Sequence, residues 1–133
     1  MIFKNENRKS IVKYRFSQAN ETIVDVEILI NNNRLRSAVN RIYYGMFYAL
    51  SALAISHSFK TSKHRQLIGW FNKNFIKSGK IDQIYGRYLN KAYNLRSEGD
   101  YDVYVNFNEQ EVLELFDNIK EFIQRISKYL NIE

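Results

Sequence analysis

The chain has 133 residues, with 20 Lys or Arg against 14 Asp or Glu for a net charge of +6, and that length buries an apolar core without help from metal or disulfides. It has no cysteine, so thiol nucleophiles and sulfur-ligated zinc are excluded and nothing depends on an oxidising compartment. The opening MIFKNENRKS turns polar at once and does not read as a signal peptide, so a cytoplasmic location is expected; the positive excess suits a polyanionic partner without requiring one.

Proline is absent, which favours long uninterrupted helices. Phe16, Ile23, Val26 and Ile30 recur at helical spacing and mark a first amphipathic helix, ended by Asn31 to Asn33, whose amide side chains compete for backbone hydrogen bonds. A second helix begins near Arg34 and is apolar almost all round from Ile42 to Ile55. That run is short of the ~20 residues a membrane-spanning helix needs, and tyrosines and a serine interrupt it, so it is expected to be a buried central helix and no membrane is implied. After the connection SHSFKTSKH, Leu67, Trp70, Phe71 and Phe75 predict a shorter helix that stops at KSGK, with Gly79 suited to the left-handed cap position. Ile81, Ile84, Tyr85, Tyr88, Leu89, Ala92 and Leu95 carry a fourth helix, expected to break at Gly99. Asn108 with Glu111 gives a capping-box-like start to the last helix, where Val112, Leu115, Phe116, Ile119, Phe122, Ile123, Ile126 and Leu130 form one stripe. The expectation is a single domain over 1–133, all-α, an up-and-down bundle of four to five helices.

The common site signatures are missing: there is no glycine-rich phosphate loop, no H-E-x-x-H, no G-x-S-x-G and no EF-hand loop. His57 and His64 stand seven apart across a connection without an acidic cluster, and neither reads as a metal ligand. No cofactor is implied. The segment NLRSEGDYDVY, Asn94 to Tyr104, gathers an arginine, acids and tyrosines where a helix should end. Arg96 offers planar paired donors for a phosphate, Asp100 could orient it, and Tyr101 and Tyr104 add hydroxyls and stacking faces for bases. A plain helix C-terminus accounts for the same residues, with Arg96 at the negative end of the dipole, paired to Glu98 or Asp100. Arg41 and Tyr44 near the start of the central helix likewise read either as a phosphate contact or as a solvated basic end joined to an aromatic core.

Taken together, SAVNRIYYGMFYALSALAI, TSKHRQLIGWF, FIKSGKI and LRSEGDYDVY, in this order and followed by the late amphipathic helix, resemble the HEPN family, in its branch of short single-domain prokaryotic proteins, from about Ala19 to Leu130. The resemblance implies an HEPN-like helical bundle and a homodimer in which two arginine–histidine motifs meet to cleave RNA without metal. Arg96 matches the arginine, but Tyr101 stands at the histidine position. An unperturbed tyrosine near pKa 10 stays protonated at neutral pH and makes a poor base, whereas histidine near 6.5 both takes and gives a proton.

Two functions are therefore carried forward. One is a metal-independent endoribonuclease, the toxin of a toxin–antitoxin pair, with Arg96, Asp100 and Tyr101 catalytic and Arg41, Tyr44, His64 and Tyr104 binding. The other is a non-catalytic helical dimer that binds nucleic acid or nucleotide, or docks a partner, having lost the catalytic histidine. The resemblance also implies a minimal nucleotidyltransferase partner that attaches AMP to a tyrosine beside the motif; Tyr104 is the candidate, with Tyr101 expected to turn into the site.

Overall fold

The computed structural model describes residues 5–102 and 106–131. They form α1 (Asn5–Asn31), α2 (Leu35–Ser56), α3 (His64–Phe71), which continues as a π-helical turn (Asn72–Ile76), α4 (Gln83–Tyr101) and α5 (Glu109–Leu130). Among the described residues there is no strand, and the all-α bundle predicted from periodicity is the observed architecture.

The helix ends follow from identifiable residues. Asn33 takes a left-handed conformation at φ 57°, and the Arg34 and Asn33 amides donate to the carbonyls of Leu29 and Ile30 at 2.8 and 3.0 Å. This is a Schellman closure, with asparagine in the place glycine usually fills. The α2 end repeats it with Ser58 at φ 61°, where the Phe59 amide donates to the Ala54 carbonyl at 2.9 Å and the Ser58 amide to Ile55 at 3.0 Å. Gly79 adopts φ +79° as its position predicts. Asp82 caps α4 through the Ile84 amide at 2.9 Å and Asn108 caps α5 through the Gln110 amide at 2.7 Å.

The core lies around α2, which packs against α1, α3, α4 and α5. Ile42, Tyr43, Met46, Ala49, Leu50 and Leu53 have no exposed surface, which is why this helix is apolar around most of its circumference. The α5 stripe from Val112 to Ile126 is buried as its spacing predicts, and Leu130 is partly buried. On α1, Ile23 is only partly buried, and Thr22 takes the inward position at 2 % exposure. Its hydroxyl donates to the Gln18 carbonyl at 2.7 Å, so burial leaves no donor unsatisfied.

One expectation is overturned. Gly99 does not break α4, which runs on to Tyr101. Its missing side chain serves a close approach instead: a Cβ there would lie 3.1 Å from the Phe107 ring. The helix is held beyond the glycine by Arg36 of α2, whose Nη1 donates to the Gly99 carbonyl and reaches the Asp102 carbonyl at 3.5 Å. A guanidinium at a helix C-terminus satisfies orphan carbonyls and favours the negative end of the dipole.

Gly45 sets how closely α1 and α5 approach α2, because a Cβ would stand 2.4 Å from Ile119 Cδ1 and 3.2 Å from Thr22 Cγ2. Gly45→Ala is expected to overpack this crossing and lower stability by about 1–3 kcal/mol, read as a reduced midpoint in urea denaturation; an unchanged midpoint would show that Ile119 moves aside without cost.

Candidate functional site

The site is built where the first half of α2 meets the last turns of α4. Tyr43 and Tyr44 are consecutive on α2, about 100° apart at 3.6 residues per turn, so one ring enters the core and the other lies at its edge. Tyr43 is fully buried and Tyr44 partly so. The Arg96 guanidinium reaches across from α4 and lies 5.3 Å from the Tyr43 ring centre and 5.2 Å from that of Tyr44. Its Nη2 donates to the Tyr44 hydroxyl at 3.4 Å. Arg41, one turn before Tyr44 on α2, lies 5.0 Å from the same ring. Attraction between a cation and an aromatic ring is worth roughly 0.5–2 kcal/mol, more where water is excluded.

Asp100, four residues after Arg96 and so about 40° round the helix, pairs with it at 3.0 Å from Nε to Oδ2. Nε itself is buried and its N–H is not aligned with an acceptor, so this is an ionic contact and not a directed hydrogen bond. With side chains 22 % and 43 % exposed, the pair lies at the water boundary, where such contacts contribute little to stability and more to orientation.

His64, the first residue of α3, closes the other side. Its Nδ1 lies 2.8 Å from the Tyr43 hydroxyl, and its ring stacks on Phe47 at 4.1 Å between centroids. Burial first, and the Arg96 charge second, hold the His64 pKa below its ordinary 6.5, so the imidazole is neutral at pH 7. Burial pushes the Tyr43 pKa up, against the opposing pull of Arg96, so that hydroxyl keeps its proton and needs an acceptor. Nδ1 is the acceptor the geometry supplies, which places the histidine proton on Nε2. His64 thus presents a donor, not a lone pair, at its second nitrogen.

Of the residues singled out in the sequence, the fold brings together Arg41, Tyr44, His64, Arg96 and Asp100. Tyr101 is not among them. Expected to turn inward, it is 90 % exposed, because five residues on a helix carry it about 140° away from Arg96. It lies close enough to Arg65 to contribute, as the smallest cause, to that residue's raised pKa, which comes chiefly from a hydrogen bond with Tyr93. Tyr104 lies outside the described residues. His57 stands apart, against Trp70, Phe75 and Tyr129.

Arg36 and Phe107 belong to the site and went unnoticed in the sequence. Together with Arg41, Arg96, Asp100 and Gly99 they line a cleft of about 440 Å³, so among the described residues three guanidinium groups face it against one carboxylate. Such a cleft favours an anion, and the planar forks of arginine suit phosphate oxygens. No grouping of three or more His, Cys, Asp or Glu able to hold a metal occurs among the described residues. None of the described helices is long and apolar enough to cross a membrane.

Comparison with known proteins gives a consistent picture. The model of the HEPN domain matches residues 12–129. A protein of Thermotoga maritima described as a UPF0332 protein is 37% identical over 126 residues, covering 95% of each chain. Two proteins of Methanocaldococcus jannaschii, each named "putative toxin", are 34% and 32% identical, covering 96% and 95% of this chain and 84% and 93% of their own.

The His64 environment gives a pH test. A histidine whose folded pKa is depressed contributes stability that is fully present above its unfolded pKa of 6.5 and declines as pH falls through 6.5 toward the folded value. Proton-detected titration is expected to place the His64 midpoint below 6.5, and Arg96→Gln should move it upward. A midpoint at or above 6.5 in the native chain would contradict the packing described.

Proposed function

Because the chain belongs to the HEPN domain family, we propose that it is a toxin-type protein directed at RNA, cleaving a phosphodiester bond without metal at the Arg96 centre, slowly in the isolated chain. The observation that carries this reading is the cleft in which Arg36, Arg41 and Arg96 converge. The names of the two archaeal relatives favour the toxin part of it.

In the proposed reaction a ribose 2′-hydroxyl attacks the adjacent phosphorus, forming the O2′–P bond and breaking P–O5′, with the hydroxyl proton released to water and the departing 5′-oxygen protonated from water. Arg96, oriented by Asp100 and by the tyrosine rings, stabilises the negative charge that grows on the phosphoryl oxygens. Nε2–H of His64 donates to the same region, as a neutral imidazole can. Proton transfer is the weak step. Asp100 is engaged with a guanidinium, and for His64 to accept the 2′-hydroxyl proton at Nε2 its contact with Tyr43 must reverse. Slow turnover follows from this shortage of a base.

A second reading, a non-catalytic RNA-binding module, is favoured by the position of Tyr101. The residue standing where a catalytic histidine would be expected faces solvent on the far side of α4. It could reach an Arg96 centre only in a second copy of the chain.

Purified protein incubated with labelled single-stranded RNA in EDTA tests the first reading. Cleavage is expected to persist in EDTA and to fall about 10²–10³-fold in Arg96→Ala. Cleavage that survives Arg96→Ala, or that EDTA abolishes, would remove the mechanism, and salt-dependent binding without cleavage would select the second reading.

Tyr101→His separates the two geometries. The substitution is expected to raise cleavage only at protein concentrations where light scattering shows a dimer; a gain in the monomer would contradict the outward placement of this side chain.

A further inference from the structure

A second cleft, of about 580 Å³, opens on the other side of His64 between α1, α2 and the connection into α3. Its size is within the ~300–1,000 Å³ typical of small-ligand pockets. Phe47, Ile55, Phe59 and Leu67 provide an apolar floor, Ser51, Thr61 and Ser62 provide hydroxyls, and Arg15, Lys60 and Lys63 provide positive charge. Among the described residues, no carboxylate side chain lines it.

The connection that forms one wall is held in shape. Ser58 in its left-handed conformation turns the chain back at the end of α2, and Phe59 stacks face to face on Trp70 at 5.1 Å. Thr61 Oγ1 donates to Gln66 Oε1 at 2.7 Å and accepts from the Lys63 amide at 3.1 Å. The α3 N-terminus opens beside Lys63 and has no side-chain cap, which leaves amide donors and the positive end of the dipole on the same wall as the lysines.

We propose that this cleft is a nucleotide subsite for the RNA strand, holding the base of a nucleotide next to the scissile one against the apolar floor while Lys60 and Lys63 take a flanking phosphate. The inference rests on the RNA-directed reading of the Arg96 centre. Two features select a nucleotide unit. An aromatic and aliphatic floor beside clustered cations suits a ligand with one flat apolar part and one anionic part, as in single-strand binding grooves. The cleft also shares a wall with the first site: His64 lines it while stacking on Phe47 and touching Tyr43 beside Arg96, so one strand passing His64 occupies both.

Trp70, the single tryptophan of the chain, reports on this cleft through Phe59, which lines it and on which it stacks. Its fluorescence is titrated with a short single-stranded oligoribonucleotide and with AMP, alongside anisotropy of the labelled oligonucleotide at several salt concentrations. The test compares the native chain with the double variant Lys60→Gln, Lys63→Gln, both positions being exposed.

The native chain is expected to give a saturating Trp70 response to the oligonucleotide at concentrations at least about tenfold lower than to AMP. In the double variant that response should weaken, and the salt slope of binding should fall by about 0.7, the value for one phosphate contact on a single strand. Oligonucleotide binding seen by anisotropy but without a Trp70 response, or with one indifferent to the two substitutions, would overturn the subsite and leave the Arg96 reading intact. AMP binding as tightly as the oligonucleotide would overturn the strand assignment in favour of a free nucleotide. Absence of any RNA binding at low salt would overturn the Arg96 reading, and the subsite with it.

Discussion

A charged group beside a buried aromatic core is the constraint on which the rest of this molecule turns. Arg96 cannot lose its proton and cannot be buried dry, because stripping water from a lone cation costs far more than packing returns. The fold leaves the Arg96 side chain at 22 % exposure and surrounds it with the Tyr43 ring, the Tyr44 ring and the Asp100 carboxylate. Each contact is modest, roughly 0.5–2 kcal/mol for an aromatic face and about 0–1 for a half-exposed ion pair. Position is thus secured by several weak contacts from two helices.

That arrangement needs the end of α4 to stay helical and close to the start of α2. Arg36 holds the terminal carbonyls of α4 from across the interface, while Gly99 lets the Phe107 ring approach where any Cβ would crowd it. Arg36 therefore works in the fold and in the cleft at once: it closes a helix end and adds positive charge to the cleft wall. The close crossing at Gly45 keeps α2 central, and a central α2 carries the tyrosine pair to the place where Arg96 can cover it.

The net charge of +6 is weak evidence while it is only a sum. Its distribution says more. Arg36, Arg41 and Arg96 gather on one cleft, and Arg15, Lys60 and Lys63 on another, with His64 between them held neutral by burial and by the nearby guanidinium. Potential focused by two adjoining concave surfaces attracts a linear polyanion better than the same charges scattered on a convex face. A neutral imidazole at the junction avoids adding one more cation to these six and keeps one nitrogen as a donor.

Helix number, order and most of the buried face were legible in the sequence, because apolar residues at three- and four-residue spacing must share a face whatever surrounds them, as from Val112 to Ile126. The stop at Asn31 to Asn33 and the left-handed turn at Gly79 were equally local, set by side chains that compete for, or permit, a particular backbone conformation. So was the resemblance to the HEPN family, carried by short motifs that hold Arg96, Asp100, Arg41, Tyr44 and His64, the residues the fold brings together. What the tertiary structure decided was non-local. Gly99 stays helical because Arg36, 63 residues away, satisfies the helix end, a contact no window of sequence contains. Tyr101 faces outward because α4 continues past the glycine and rotates it away from Arg96, and Arg36 and Phe107 join the site only because α2 and α4 meet there.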